Sequence, residues 1–302
     1  MKIEAMRCFC AVVEEHSFRA AADRLHRSQP AVSQQIKTLE GEVGHTLLER
    51  RSCRPTPAGH LLYDRARHIL NEAESLAREV ADYDEAQVQA LRVGTSDTTA
   101  LYILPPIIGA FSRAMPQTRL VLVNRPSAAI ADQVRLGELD LGIVTLPVAR
   151  EELEERDLFE QELILTLPRL HPLASRQHVE LAELHDEPML LLDDTTRTGH
   201  LLRAYLRDAD YEPLVVLDSG SFEVIKRYVG EGIGISFLPR IAVTRKDVDI
   251  ATAAVHGLPS IRIGAIWRRG AYQSRAERTF LDLVAREKTG TRTTWRNKDR
   301  TG

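Results

Sequence analysis

The stretch SFRAAADRLHRSQPAVSQQIKTLE, residues 17–40, decides the fold of the N-terminal part of this 302-residue chain. Ser17 is a good helix N-cap, and the alanines after it allow a short helix to pack closely. After a short turn, Ser28 is a second candidate N-cap, and Pro30 falls just inside the next helix, where its missing N–H costs little. Two short helices joined by a tight turn are typical of a helix-turn-helix.

The polar side of the second helix carries side chains suited to DNA. Amide groups can form paired hydrogen bonds with adenine edges in the major groove, and a helix N-terminus offers free N–H groups to phosphate. The alternative is a helical bundle with surface glutamines, but the cap, the proline and the polar first turns together favour DNA binding. We predict DNA contacts at the helix start, including Pro30, with base contacts by Gln29, Ser33 and Gln34 and phosphate contacts by Ser28 and Lys37.

Three arginines follow this helix at positions 50, 51 and 54 and predict a basic hairpin or wing. We expect Arg50, Arg51 and Arg54 to contact phosphate. Residues 1–60 carry 9 basic and 7 acidic side chains, whereas the remainder carries 31 and 36. The net charge of −3 for the whole chain therefore hides a local positive region, and the DNA signal is confined to one patch.

The residues of this region resemble the DNA-binding signature of the LysR-type transcriptional regulators. The resemblance is carried by Ser17, Phe18, Ala20, Ala21, Leu25, Ser28, Gln29, Pro30, Ala31, Val32, Ser33, Gln35, Ile36, Leu39 and Glu40, and it continues through Gly44, Leu47, Arg50, Arg54, Pro57, Ala58, Gly59 and Leu62. The chain departs from the pattern at His16, where a glycine is common, and at Leu48, where a phenylalanine is common. The resemblance implies a winged helix-turn-helix, a homodimer or homotetramer, and an effector domain behind it.

A long helical pattern without Gly or Pro follows and predicts a linker helix over residues 61–88. Its apolar residues are spaced 4, 3, 4, 3, 4 and 3 apart, which is a heptad stripe, at Leu62, Ala66, Ile69, Ala73, Leu76, Val80 and Tyr83. We expect this stripe to form a dimer seam, and packing against the chain's own domain is the alternative. A two-fold dimer would place two recognition helices on two half-sites of an operator.

From about residue 90, short β-rich runs alternate with helical patterns, so an α/β domain is expected after the all-α winged helix-turn-helix. Strands at 91–95, 119–123 and 140–145 predict a parallel βαβαβ set, and runs at 189–192 and 214–217 predict a second set. Runs at 163–167 and 261–266 are the expected crossing strands between two lobes, whereas Glu151–Glu155 looks like a solvated acidic stretch. The domain resembles the periplasmic-binding-protein-like effector domain of the same family, spanning 89–290, with lobe I at 89–162 and 268–290 and lobe II at 163–267.

Hydroxyl side chains follow several of these strands, where open α/β sheets bind ligands. Each hydroxyl could be only an N-cap, but as a set we expect them to line an effector pocket: Ser96, Thr98, Thr99, Thr145, Thr198, Ser219 and Ser221. The first five also match the anion-site pattern of the CysB-like branch, although Thr99 replaces a glutamine and Asp97 adds a negative charge. We predict a small-molecule effector, with a small anion or carboxylate as one candidate, and no other cofactor.

The rest of the sequence narrows the class of protein. No Ser/His/Asp signature, phosphate loop or dinucleotide fingerprint is visible, so a regulator is expected and not an enzyme. Neither a metal-ligand spacing, a signal peptide nor a membrane-length apolar run is visible, so a cytoplasmic protein is expected. The predicted partners are operator DNA, a second copy of the chain and, as a further candidate, RNA polymerase. Residues 291–302 are expected to form a disordered basic tail.

Two alternative readings of the whole chain stay open. One is a binding-fold enzyme or solute-binding protein with an ancillary helical domain. The other is a thiol redox sensor, which would use Cys8, Cys10 or Cys53, the three cysteines of the sequence.

Overall fold

The computed structural model describes residues 1–49, 52–81 and 90–296. It divides into two compact units, one built mainly on the chain up to Gln87 and the other mainly on the chain from Val88 onward. The prediction of an α-helical N-terminal part followed by an α/β part is confirmed.

The N-terminal unit is a winged helix-turn-helix. Its helices are α1 (Ile3–Glu15), α2 (Phe18–Arg24), α3 (Gln29–Val43) and α4 (Pro57–Ala81), and an antiparallel bridge between Leu48 and Pro55 forms the wing. The helices enclose a small apolar core whose fully or almost fully buried side chains include Phe9, Val12, Val32, Ile36, Leu39 and Leu47. α3 buries one apolar side in this core, so its other side is left for contacts with a partner.

Both predicted N-caps are present. The Ser17 hydroxyl accepts a hydrogen bond from the Ala20 N–H at 3.3 Å, and the Ser28 hydroxyl accepts one from the Ala31 N–H at 3.4 Å. α1 ends at His16, whose φ of 49° lies in the left-handed region. That conformation favours glycine, which is the residue common at this position in the family that the sequence resembles.

The linker helix changes its surroundings along its length. α4 begins at Pro57, four residues before the predicted start, and its first turns pack against α1. Ala66 is buried and Leu62 is half-buried in the core of the N-terminal unit. This part of the stripe therefore packs against the chain's own domain, which was the alternative to a dimer seam. Further on, Ala73 is half-buried, whereas Ile69, Leu76 and Val80 are 42%, 61% and 62% exposed. Tyr83 lies outside the described residues.

The C-terminal unit has ten strands and six helices in its described part, besides two short 3₁₀ turns. The strands are β1 (Ala90–Thr95), β2 (Arg119–Asn124), β3 (Leu141–Thr145), β4 (Leu153–Pro168), β5 (His178–Val179), β6 (Pro188–Leu192), β7 (Leu214–Ser219), β8 (Ser236–Pro239), β9 (Ile250–Val255) and β10 (Ser260–Arg268). The helices are α5 (Asp97–Tyr102), α6 (Leu104–Ala114), α7 (Ser127–Leu136), α8 (Arg197–Asp208), α9 (Phe222–Gly230) and α10 (Arg275–Arg296).

The strands form two lobes. In lobe I, β1 pairs in parallel with β2 and β3, and β10 runs antiparallel between β3 and β4. In lobe II, β4 pairs with β8 and β9, β9 pairs with β5, and β6 pairs in parallel with β7. The predicted βαβαβ set and the second parallel pair are therefore confirmed.

β4 is the strand that joins the lobes. Residues 153–162 pair with β10, and residues 163–168 pair with β8 and β9. The crossing at 163–167 is thus where the sequence placed it, but the strand begins ten residues earlier. The acidic stretch at 151–155 was expected to be solvated, but its second part belongs to β4, because its backbone pairs with β10. Leu153 is buried at the start of the strand, and the carboxylate side chains beside it are largely exposed.

α10 packs on α6 of lobe I. The rings of Phe111 and Phe280, both fully buried, meet edge to face with centroids 5.5 Å apart. α10 extends to Arg296, so residues 291–296 of the predicted tail are helical and continue the register of the packed helix. Residues 297–302 lie outside the described part of the chain.

Candidate functional sites

The exposed side of α3 presents polar side chains at the positions predicted to contact DNA. Gln29, Gln34 and Lys37 are exposed, and none of these three side chains has a hydrogen-bond or ion-pair partner in the described part of the protein. Ser33 is half-buried beside them, Pro30 is exposed at the helix start, and Ser28 caps the helix. A helix end with free N–H groups and an adjoining row of amide and ammonium groups suits a DNA groove.

The wing contributes one described arginine to the same unit. The backbone N–H of Glu49 donates to the Arg54 carbonyl at 2.8 Å, and Cys53 turns the chain with a φ of 56°. Arg54 is exposed and its guanidinium has no carboxylate partner among the described residues. Arg50 and Arg51 lie outside the described residues, so their predicted phosphate contacts stay predictions.

Elsewhere in this unit, several arginines are neutralised by carboxylates. Arg24 lies 2.6 Å from Glu14 and 3.1 Å from Glu15, and Arg27 lies 2.5 Å from Glu4. These pairs neutralise Arg24 and Arg27. Lys37 and Arg54 have no carboxylate partner among the described residues, so they are the cations of this unit that suit a phosphate backbone.

A cavity of about 470 Å³ lies between the two lobes of the C-terminal unit, in the size range of small-molecule sites. The carboxyl ends of five parallel strands, β1, β2, β3, β6 and β7, meet around it. Lobe I contributes Ser96, Asp97, Thr98, Asn124, Arg125, Pro126, Ser127 and Thr145. Lobe II contributes Leu192, Thr196, Arg197, Thr198, Gly220 and Phe222.

Three threonines in this cavity have hydroxyl groups without a protein partner. Thr98, Thr145 and Thr198 are buried, yet no hydrogen bond to any of their hydroxyls is formed within the described chain, and their oxygens are not sealed inside the protein. Thr196, by contrast, is a satisfied N-cap, since its hydroxyl accepts from the Gly199 N–H at 3.0 Å. The three free hydroxyls must therefore be satisfied by molecules that enter the cavity.

Three of the predicted pocket residues do not line the cavity. Thr99 is fully buried behind Thr98, because one further residue on a helix turns the side chain away from the cavity, and its hydroxyl lies 3.4 Å from that of Ser96. Ser219 accepts a hydrogen bond from the Ser221 N–H at 3.2 Å, so these two serines shape the turn before α9. Their neighbours Gly220 and Phe222 form the wall instead.

Sequence reasoning missed the two arginines of the cavity, although it noted the negative charge of Asp97. Arg125 lies between β2 and α7, and Arg197 is the first residue of α8. The Arg125 guanidinium donates to the Asn124 carbonyl at 2.9 Å, and Asn124 also hydrogen bonds to the Asp97 carboxylate. The same strand-end rule that selected Thr145 would have found the loop after β2. With two guanidinium groups against one carboxylate, the cavity favours an anion.

Among the described residues, no group of three or more His, Cys, Asp or Glu side chains is placed to hold a metal ion. A helix that is both long and apolar enough to cross a membrane is likewise absent from the described chain.

The three cysteines differ in burial. Cys8 and Cys10 are buried and Cys53 is half-buried. Burial raises the pKa of Cys10 to about 12 and also raises the pKa of Cys8. The thiols of Cys8 and Cys10 are therefore poor nucleophiles.

Known families match both units. A model of the bacterial regulatory helix-turn-helix protein, lysR family, matches residues 3–60, and a model of the LysR substrate binding domain matches residues 85–289. OxyR of Escherichia coli K12, a DNA-binding transcriptional dual regulator, is 32% identical over 296 residues, which cover 95% of this chain and 96% of that protein.

Two further similarities extend this result. The hydrogen peroxide-inducible genes activator of Dickeya chrysanthemi is 33% identical over 254 residues, which cover 82% of each chain. The solved structure of a full-length cysteine-to-aspartate variant of OxyR from Pseudomonas aeruginosa is 28% identical, with a TM-score of 0.76 and coverage of 94% of both chains. The matched models span both units, and the fold and the strand-end cavity agree with them. This chain therefore belongs to the LysR family of DNA-binding transcriptional regulators with an effector-binding domain.

Proposed function

We propose that this protein binds operator DNA through α3 and the wing, and that a small anion, such as a carboxylate, in the interlobe cavity controls its effect on transcription. The observation that carries the effector class is the cavity itself: Thr98, Thr145 and Thr198 offer unpartnered hydroxyls beside Arg125 and Arg197. We assign the cavity a binding role and not a catalytic one. The protein would act in the cytoplasm, where its operator is.

The DNA-binding half of the proposal assigns roles by chemistry. Gln29, Ser33 and Gln34 would contact base edges, since amides and hydroxyls can form directional hydrogen bonds there. Ser28, Lys37 and Arg54 would contact phosphates, and so would Arg50 and Arg51. Pro30 belongs to this surface through its place at the helix start.

The assembly part of the proposal rests on α4. Ile69, Leu76 and Val80 lie seven and four residues apart, which places them on one side of the helix, and all three are exposed. A second copy of the chain is the partner that would cover them, with Ala73 allowing close approach. We propose a homodimer that pairs two recognition helices, with a homotetramer built from two such pairs. RNA polymerase is a further proposed partner at the promoter.

The test of the effector proposal is a thermal-shift panel on the full chain with sulfate, phosphate, benzoate and succinate. At least one anion should raise the melting temperature, since a ligand at 100 times its Kd stabilises the native state by about 2.7 kcal/mol. Arg197→Gln should remove most of that shift. Arg207→Gln changes an exposed arginine on the same helix outside the cavity and should keep it. A panel in which no anion shifts the wild-type chain contradicts the proposal.

One relative's description favours a second candidate, a thiol sensor of hydrogen peroxide. In this chain every cysteine lies within the first 53 residues, so the effector domain has no thiol to oxidise. The same panel on a chain with Cys8, Cys10 and Cys53 replaced by Ala separates the candidates. The anion sensor is supported if the variant keeps the anion-induced rise in melting temperature and if peroxide leaves the DNA binding of both chains unchanged. The thiol sensor is supported if peroxide changes the DNA binding of the wild-type chain only.

A further inference from the structure

A buried lysine on a helix that lines the cavity forms hydrogen bonds with both lobes. Lys226 is in the middle of α9, and its side chain is 10% exposed. Its ammonium group donates to the Tyr102 hydroxyl at 2.6 Å and to the Ala242 carbonyl at 2.9 Å. Tyr102 is the last residue of α5 in lobe I, whereas Lys226 and Ala242 belong to lobe II. The bond between Lys226 and Tyr102 therefore crosses from one lobe to the other.

Two carboxylates complete a buried cluster that consists of Tyr102, Glu223, Lys226 and Asp247. Glu223 lies 3.2 Å and Asp247 lies 3.3 Å from the ammonium nitrogen, and the Tyr102 hydroxyl donates to Glu223 at 2.5 Å. The ammonium also lies 5.2 Å from the centre of the Tyr102 ring, within cation–π range. Burial alone would lower the pKa of Lys226, but the bonds to Tyr102 and Glu223 outweigh burial and raise that pKa, so the group stays charged.

The cluster and the cavity share two helices. On α5, Thr98 lines the cavity and Tyr102 follows four residues later. On α9, Phe222 lines the cavity and Lys226 follows four residues later. Residues four apart lie on the same side of a helix, one turn from each other. A change in the distance between α5 and α9 therefore moves the cavity walls and the bond between Tyr102 and Lys226 together.

We propose that Tyr102 and Lys226 form an interlobe tether that sets the spacing between the two walls of the effector cavity. They are positioning residues and do not line the cavity themselves. Without the tether, the lobes would sample a wider range of separations, and an anion would have to restore the closed spacing as it binds. The role of the tether in effector binding rests on the proposed function, whereas the tether itself can be tested without any ligand.

The test measures the distance between lobes by electron spin resonance on the full chain. Spin labels are attached at Arg113→Cys in lobe I and Asp208→Cys in lobe II, in a Cys53→Ser background, and labelled chains are diluted with unlabelled ones. Tyr102→Phe removes the hydroxyl and keeps the ring. It should shift or broaden the distance distribution by about 2 Å or more, the scale of a domain rearrangement. It should also weaken binding of the most active anion of the panel by at least about 3- to 10-fold, the value of one net hydrogen bond, because the hydroxyl bonds both Lys226 and Glu223 across the lobes.

The matched control is Tyr205→Phe. The Tyr205 hydroxyl donates to the His256 carbonyl at 2.9 Å, and both residues lie in lobe II, so its loss should leave the interlobe distance unchanged. If Tyr102→Phe leaves the distance distribution as in the wild type, or if Tyr205→Phe changes it equally, the tether is overturned. If the distance changes but no anion binds the wild-type chain, the tether stands and the proposed effector function fails.

Discussion

The α3 surface and the interlobe cavity both present polar side chains without protein partners, but in different surroundings. Gln34 and Lys37 are exposed, whereas Thr98, Thr145 and Thr198 are only 7%, 6% and 6% exposed. An exposed polar group is satisfied by bulk water, so its lack of a partner costs nothing. A covered hydroxyl that stays unpaired costs about 1–3 kcal/mol, so it calls for water or a ligand in the cavity. The cavity is therefore the stronger physical sign of a bound molecule.

The two regions also differ in how the chain builds them. The residues proposed to contact DNA come from one helix and the wing directly after it. The cavity needs loops that follow five strands spread from β1 to β7. A local change should therefore damage one region and spare the other, and the largest predicted effect uses this difference.

Two glycine substitutions should break the regions separately. A Cβ at Gly59 would lie 2.1 Å from the Leu47 carbonyl oxygen, and a Cβ at Gly199 would lie 2.0 Å from the Asp193 carbonyl oxygen. Backbone must move in both cases, at about 1–3 kcal/mol or more. Gly59→Ala should lose DNA binding and keep anion binding, whereas Gly199→Ala should lose anion binding and keep DNA binding. Anion binding is read by calorimetry and DNA binding by fluorescence anisotropy.

A third glycine provides the control for this pair. Gly41 is exposed on α3, and a Cβ there would meet nothing within 4 Å. Gly41→Ala should therefore stabilise the chain by about 0.5–1 kcal/mol and spare both activities. If Gly59→Ala and Gly199→Ala each abolish both activities, the two regions do not fail separately and the comparison is wrong.

Within the α3 surface, two neighbouring side chains should separate base recognition from phosphate contact. Gln34→Ala should cost about 1–3 kcal/mol on the operator and relax the sequence preference at one base pair. Lys37→Ala should weaken operator and random DNA alike and should reduce the slope of log K against log salt by about 1. Anisotropy titrations at several salt concentrations measure both effects. A uniform loss with Gln34→Ala would show that this side chain does not read a base.

The smallest predicted effect concerns the turn between α1 and α2. His16 adopts a φ of 49°, so His16→Gly should relieve backbone strain and stabilise the N-terminal unit by up to about 1 kcal/mol. His45→Gly is the control, because His45 is exposed and is not among the residues with positive φ. Urea unfolding measures both variants, and an equal gain or loss at the two positions would refute the strain at His16.

Much of the fold could be predicted because its signals are local. The caps Ser17 and Ser28, Pro30, and the polar side of α3 all lie within one stretch, and hydrogen bonds over three residues enforce them. Apolar runs likewise predicted β1, β2, β3, β6 and β7. The first half of β4 was not predicted, because its many exposed charged side chains make the sequence look like a solvated stretch. Its backbone nevertheless pairs with β10.

The candidate site was only partly predictable. The strand-end rule pointed to Ser96, Thr98, Thr145 and Thr198, which line the cavity. It also pointed to Thr99, which does not line it, because one residue along a helix changes the direction of a side chain. The stripe on α4 shows the same limit. Its spacing predicts an apolar side, but whether Ala66 or Leu76 meets the chain's own core depends on where α1 lies.

By itself, the sequence determined the helix-turn-helix, the alternation of strands and helices, and the strand ends that surround the cavity, because these depend on caps, periodicity and chain direction. Only the tertiary structure decided which groups meet across the lobes. Arg125 and Arg197 come to line one cavity, and the Tyr102 hydroxyl comes to accept a hydrogen bond from Lys226 over 124 positions of sequence. Such meetings depend on the three-dimensional placement of α5, α7, α8 and α9, which no local pattern of residues specifies.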